Sequence, residues 1–133
     1  MAIQLDIVTP EHKLLSAEVE TVQAPGAEGS FGVLPGHTPF VACMEPGELV
    51  YTAQGEEHRY FVGGGFVEVA NGKVIVLAES AERVTDIDLD RAQAALAQAQ
   101  KRLETLRQEE EAAAIERARV KRAAARIRLA SRR

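Results

Sequence analysis

The sequence predicts an α+β protein in two parts. An N-terminal antiparallel β-sandwich, of the flattened-barrel kind, precedes a C-terminal antiparallel hairpin of two helices. Three observations carry this. All ten Gly and all five Pro lie at or before Gly72, and all four Phe and both Tyr at or before Phe66. From Asp86 onward there is no Gly, Pro, aromatic residue or Cys, and Ala, Arg, Glu, Gln and Leu dominate, the residues that cost least in a helix. Ahead of that seam, short apolar runs alternate with turn residues at regular spacing, a pattern of antiparallel strands rather than β-α-β units. The expected division is 1–85 and 86–133.

Ile3, Leu5 and Ile7 alternate with polar residues as a half-buried strand does. Thr9-Pro10-Glu11-His12 turns the chain, and Leu15 to Val22 supplies a second strand hairpinned to the first. Residues 24–39 hold four Gly and three Pro, which predicts ordered turns with Gly at positive φ in two of them. Phe40–Met44 and Leu49–Ala53 read as two strands joined by a Glu45-Pro46-Gly47 turn. Gln54-Gly55 closes a hairpin into His58–Val62. Gly63-Gly64-Gly65 then leads to Phe66–Ala70, and Asn71-Gly72 before Val74–Ala78 is a type I′ hairpin signal.

At the seam, Thr85 or Asp86 is the expected helix N-cap, with Thr85-x-x-Asp88 resembling a capping box. Leu89, Ala92, Leu96, Ala99, Leu103 and Leu106 follow at 3-4-3-4-3 spacing, a coiled-coil-like seam. A weaker stripe is expected at Ile115, Ala118, Val120, Ala124 and Ile127. Nothing between Arg107 and Ala114 breaks a helix, so the same residues allow a hairpin or one continuous helix, two states within a few kcal/mol. The end, Arg132-Arg133, is expected to fray.

Charge divides with composition. Residues 1–85 carry 12 acids and 4 bases, net −8, and residues 86–133 carry 8 acids and 12 bases, net +4. Eight bases and no acid follow Glu116, and Arg119, Arg122, Arg126 and Arg133 share one helical face. The arm therefore suits an acidic partner or a phosphate. Nucleic acid fits least, because the arm has no aromatics to stack on bases and the β part is acidic.

Several classes drop out. No window approaches 18 uncharged apolar residues, and the N-terminus lacks a basic region followed by an apolar stretch. Cys43, the only cysteine, allows no internal disulfide and reads as a buried, inert thiol. His12, His37 and His58 are far apart with no ligand-spaced partner, so no metal site is expected. No Ser/His/Asp or Cys/His set stands out. Gly63-Gly64-Gly65 lacks the helix and Lys-Ser/Thr pair of a phosphate loop and reads as a bulge. An enzyme is not expected.

The run Ala24-Pro25-Gly26-Ala27-Glu28-Gly29-Ser30-Phe31-Gly32-Val33-Leu34-Pro35-Gly36-His37-Thr38-Pro39 resembles the signature of the epsilon subunit of F-type ATP synthases. Pro25, Gly26, Gly29, Phe31, Gly32, Pro35, Gly36, His37 and Pro39 carry it. Val8-Thr9-Pro10-Glu11, Glu45-Pro46-Gly47, Phe61 to Val69 and Val76-Leu77-Ala78-Glu79 are similar as well, so the likeness spans the chain. It implies a non-catalytic rotor subunit of the central stalk that helps couple proton flow to ATP synthesis. Its partners would be the gamma subunit and the c ring. Its place would be peripheral to the cytoplasmic face of a bacterial plasma membrane. It also implies that the arm can rise and inhibit hydrolysis, with Arg117, Arg119, Lys121, Arg122, Arg126 and Arg128 meeting the alpha and beta subunits. No cofactor would be required.

Some members bind regulatory ATP on the folded hairpin through Ile or Leu, Asp, two free positions, Arg and Ala. Ile87-Asp88-Leu89-Asp90-Arg91-Ala92 fits, so Ile87, Asp88, Arg91 and Ala92 are candidates. Glu82 matches a further contact, and Lys121-Arg122-Ala123-Ala124-Ala125-Arg126 resembles the phosphate-holding segment, with Arg122 and Arg126. Gln98 departs from the pattern where ATP binders carry Arg, and the second helix needs a one-residue shift. The alternative for Asp88 and Arg91 is a helix cap with an i, i+3 ion pair. The rival to the rotor reading is thus a nucleotide-sensing module, and a polyanion-binding arm is the third.

Overall fold

The structure is a computed structural model and describes residues 2–133. It divides into two compact units, one running to Arg83 and the other beginning at Val84.

The first unit is a β-sandwich. Its strands are β1 (Ile3–Val8), β2 (Lys13–Val19), β3 (Thr21–Gly26), β4 (Gly29–Val33), β5 (Phe40–Ala53), β6 (Glu56–Ala70), β7 (Lys73–Ala78) and β8 (Ala81–Arg83). The order is β2-β1-β7-β6-β5-β3-β4, with β8 paired to β6, so the sheet folds over without closing. Two hairpins form where turn chemistry demands them. Gln54 and Gly55 have φ of 52° and 78°, and Asn71 and Gly72 have 53° and 73°. Consecutive positive φ is the I′ geometry that matches strand twist.

In this unit four sequence expectations change. The sheet is mixed, because β1 runs parallel to β7, with Leu5 opposite Val74. That pairing joins the first strand to the seventh and leaves no local signal. Glu45-Pro46-Gly47 is not a turn: β5 continues through it, and β6 continues through the three glycines. The two long strands bend together there. Register skips from Met44 opposite Gly65 to Pro46 opposite Gly63, and Gly64 and Gly65 take φ of 95° and 129°. A Cβ on Gly65 would strike the Leu77 carbonyl. At this bulge β6 changes partners, from β8 at Tyr60–Val62 to β7 at Gly65–Ala70, so one strand serves both layers. The expected strand from Leu15 to Val22 breaks at Glu20 into β2 and β3.

The fourth change is Cys43. It is exposed, because Met44 takes the inward side of β5 and strand alternation puts Cys43 on the other. Between the layers lie Ile3, Leu5, Ile7, Val22, Ala24, Val33, Leu49, Val62, Val67, Val69, Val74 and Val76. Full burial of each Val, Leu or Ile side chain contributes about 1.5–3 kcal/mol. Asp6 is buried on the outer face of β1. It accepts from Ser16 Oγ at 2.7 Å and Gln4 Nε2 at 3.2 Å, with Lys73 and Lys13 Nζ at 3.5 and 3.8 Å. The Ser16 and Gln4 hydrogen bonds, helped by the lysines, hold its carboxyl below the usual range against the opposing effect of burial.

The second unit begins with a 3-10 turn at Val84–Asp86, followed by α1 (Leu89–Leu103) and α2 (Glu111–Arg132). Neither Thr85 nor Asp86 caps α1, since both lie inside the 3-10 turn. Asp88 is the cap, and its Oδ1 accepts from Arg91 N at 3.0 Å. The chain end is tied down: Arg133 Nη1 donates to the carbonyls of Ile87 at 2.7 Å and Val84 at 2.9 Å.

Candidate functional site

The hairpin builds its site from two matched stripes. On α1, Ala92 and Ala99 are buried and Leu89, Leu96 and Leu103 half-buried, as the 3-4-3 spacing requires. The α2 stripe is shifted from expectation. Ile115 is 51% exposed; Ala113, Glu116, Ala123 and Ala130 are buried and Val120 and Ile127 half-buried, again at 3-4-3-4-3, and Ala125 and Leu129 are buried as well. Between the helices, Glu116 on α2 meets Arg102 on α1. A carboxylate inside an apolar repeat concealed the stripe from a search for apolar periodicity.

The connection 104–110 contains no residue at positive φ. The turn rests instead on short bonds: Thr105 Oγ1 to Arg102 O at 2.9 Å, Glu110 N to Arg107 O at 3.1 Å, and Arg117 Nη1 to Gln108 O at 3.2 Å. Glu110 precedes α2 without a side-chain cap. Such a turn is held by these bonds and contains no residue at positive φ that would forbid a helix.

Midway along the hairpin lies a cavity of about 300 Å³, lined by Ala95, Gln98, Ala99, Arg102, Glu116, Arg119, Arg122, Ala123 and Arg126. Four guanidiniums and one carboxylate give the lining a surplus of positive charge. Glu116 Oε1 meets Arg119 Nη1 and, at 3.5 Å, Arg102 Nη1 on the other helix. The cavity can therefore take an oxyanion.

Arg122 and Arg126 stand on this cavity, as do two residues the sequence reading did not single out, Arg102 and Glu116. Arg102 sits one turn beyond Gln98 on the same helical side, a spacing legible in the sequence. The structure does not bring Asp88, Arg91 or Ala92 to its lining. Asp88 is engaged as the α1 cap, Arg91 is exposed, Ala92 lies in the helix seam and Ile87 is buried beside the cap. Glu82 belongs to β8, paired opposite Phe61. Of the remaining arm bases, Arg117, Lys121 and Arg128 are exposed on α2, while Arg119 is drawn to Glu116.

The first unit carries two surfaces. On the outer sheet face a row of residues in register, Val8, Leu77, Phe66 and Cys43, crosses β1, β7, β6 and β5. Leu77 and Phe66 are 48% and 53% exposed, and Val41 beside them 67%. The adjacent row on the same face reads Asp6, Ile75, Glu68, Val41. A contiguous apolar row with an acidic flank is the composition of a protein-docking face.

The second surface is the signature segment. Its first half is the β3–β4 hairpin, where Gly26 opposes Gly29 and a Cβ on Gly26 would collide with the Phe31 ring. Gly29 has φ of 121°. Leu34-Pro35-Gly36-His37 then forms a turn closed by His37 N to Leu34 O at 3.1 Å, with Gly36 at φ 82°. Pro second and Gly third are what a type II turn requires. The His37 ring packs on Phe40, which stacks edge-on with Phe31, and Leu34 is left 60% exposed at the tip.

Comparison with known proteins identifies the family. The family model described as ATP synthase, Delta/Epsilon chain, beta-sandwich domain matches residues 2–84. An ATP synthase epsilon chain of Anaeromyxobacter dehalogenans is 52% identical over 132 residues, which is 99% of this chain and 100% of that one. The epsilon chain of Myxococcus xanthus is 48% identical over 125 residues, 94% of this chain and 92% of that one. In fold, the chain is similar to one in a structure of the Euglena gracilis mitochondrial ATP synthase, with a TM-score of 0.77 at 24% identity, covering 93% of this chain and 78% of that one. The chain therefore belongs to the ATP synthase epsilon chain family.

Proposed function

We propose that the chain is a rotor subunit of the bacterial F-type ATP synthase, coupling proton translocation to ATP synthesis and restraining ATP hydrolysis through its helical arm. As an epsilon chain it is a non-catalytic stalk subunit. The observation that carries the rotor reading is about 50% identity, from end to end, to bacterial ATP synthase epsilon chains. Among the described residues no helix is long and apolar enough to cross a membrane. Attachment to the cytoplasmic face of the plasma membrane would thus run through partners.

In this reading the row Val8-Leu77-Phe66-Cys43 docks on the gamma subunit, and the exposed Leu34–His37 turn meets the c ring. The arm's exposed bases, Arg117, Lys121 and Arg128, with Arg119, Arg122 and Arg126 once α2 leaves α1, meet acidic surfaces of the alpha and beta subunits. Opposite charge favours that encounter. Association with purified gamma, read by gel filtration or calorimetry, tests the anchor. No complex at micromolar concentration overturns it.

A second reading rests on the Arg-lined cavity: the folded hairpin binds ATP and is stabilised by it. Arg122 and Arg126, with Arg102 and Arg119 beside them, would hold phosphates, and Gln98 would contribute no charge. Because Asp88 and Arg91 do not line the cavity and Gln98 brings no charge, the expected affinity is weak. A flat calorimetric titration of the full chain at millimolar ATP removes this reading and leaves the rotor reading intact.

A further inference from the structure

Glu116 is the one polar residue in the α2 stripe, and it is 5% exposed. Its two oxygens are treated unequally. Oε1 takes both guanidiniums, Arg119 from its own helix and Arg102 from α1 at 3.5 Å. Oε2 is closed to solvent and has no hydrogen-bond partner. An ionised carboxylate left with one oxygen buried and unpaired opposes the packing around it. Both guanidiniums are themselves about half exposed, so water weakens their attraction for Oε1.

We infer that Glu116 is a built-in destabiliser of the folded hairpin, one that keeps its closed and open arrangements close in free energy. When α2 moves off α1, Oε2 regains water and the Arg102 contact is lost. The Arg119 contact survives, since it lies within one helix. Closing therefore gains one half-solvated cross-helix ion pair and gives up the hydration of Oε2. The rest of the seam is apolar and would hold the hairpin shut. Glu116 interrupts an otherwise apolar series on α2, Ala113, Val120, Ala123, Ile127 and Ala130. The 104–110 turn has no residue at positive φ and is tied by a few hydrogen bonds. Arg102 has the opposite role: it is the tie that keeps the buried carboxylate tolerable.

This inference concerns the hairpin alone and does not depend on what the arm touches. Hydrogen–deuterium exchange of the full-length chain, without partners or nucleotide, reads it, with the β5 and β6 amides as an internal reference. Glu116→Leu is expected to slow exchange across α1 and α2 about tenfold, since exchanging a buried ion pair for a packed apolar residue is commonly stabilising. Arg102→Ala is expected to speed it about tenfold, as it strips the charge of its cross-helix partner. Arg102→Ala added to Glu116→Leu should change little, because the two act through each other. Unchanged or faster exchange in Glu116→Leu overturns the inference. So does an Arg102→Ala effect of the same size in both backgrounds. The expected exchange changes beside an arm that fails to inhibit would sink only the inhibitory reading.

Discussion

Phe66 provides the sharpest test of the anchor. Its ring is 53% exposed at the centre of the apolar row, opposite Cys43 on β5 and Leu77 on β7. Full burial of a Phe side chain is worth about 1.5–3 kcal/mol, so docking would bury the exposed half for about 1 kcal/mol. Phe66→Ala should then weaken gamma binding about fivefold. Phe66→Glu goes further. It places an unpaired carboxylate under the partner beside Glu68, which already flanks the row. A buried unpaired charge costs several kcal/mol, so the loss should be at least about a hundredfold. The chain itself should be untouched, since surface changes usually alter stability by less than about 0.5 kcal/mol. Calorimetry with gamma, paired with thermal melts of the free variants, separates the two effects. Gamma binding by Phe66→Glu at the parent affinity, with a parent-like melt, refutes the docking face.

Other predictions follow from single residues. Gly65→Ala should destabilise the β unit by about 3 kcal/mol or more, seen as a lower urea midpoint, because φ of 129° and the Leu77 carbonyl both exclude a Cβ. Asp6→Asn should lower stability at neutral pH by about 1–2 kcal/mol, since charge-assisted hydrogen bonds are lost. Asp6 has a depressed carboxyl in the folded state, so its contribution is present above the ordinary carboxylate range and lost as pH falls through the folded value. The deficit of Asp6→Asn should accordingly vanish in acid unfolding curves. Asp88→Ala should cost α1 about 1 kcal/mol by removing the cap, while Asp88→Asn keeps it, as helix exchange rates would report. If the hairpin binds ATP, Arg122→Ala and Arg126→Ala should each lower affinity about tenfold or more in calorimetry.

What the sequence made legible was local. Asn71-Gly72 and Gln54-Gly55 announced their hairpins because few residues tolerate consecutive positive φ. The α1 seam was legible because every inward position is apolar. Pro46 misled because Pro-Gly usually turns a chain. Here the Pro lies on a bend, and the three glycines opposite absorb the curvature, which a single strand's sequence does not reveal. The parallel pairing of β1 with β7 depends on residues some 70 apart and has no local signature. Thr85 looked like a cap until the 3-10 turn at Val84–Asp86 moved the helix start to Leu89.

The cavity was half legible. Arg122 and Arg126 stood out as phosphate-type residues. Arg102 and Glu116 did not, because their roles arise from one helix facing the other. Glu116 also interrupts the very periodicity that would have marked its face.

The most direct measurement of the central claim is ATP hydrolysis by a reconstituted catalytic head with gamma, given either the full chain or a chain ending at Arg83. The account predicts that the full chain slows hydrolysis and that the shortened chain still binds gamma without slowing it. Equal hydrolysis with both, when both are bound, would contradict the arm's role as a brake, and failure of either to bind would contradict the anchor.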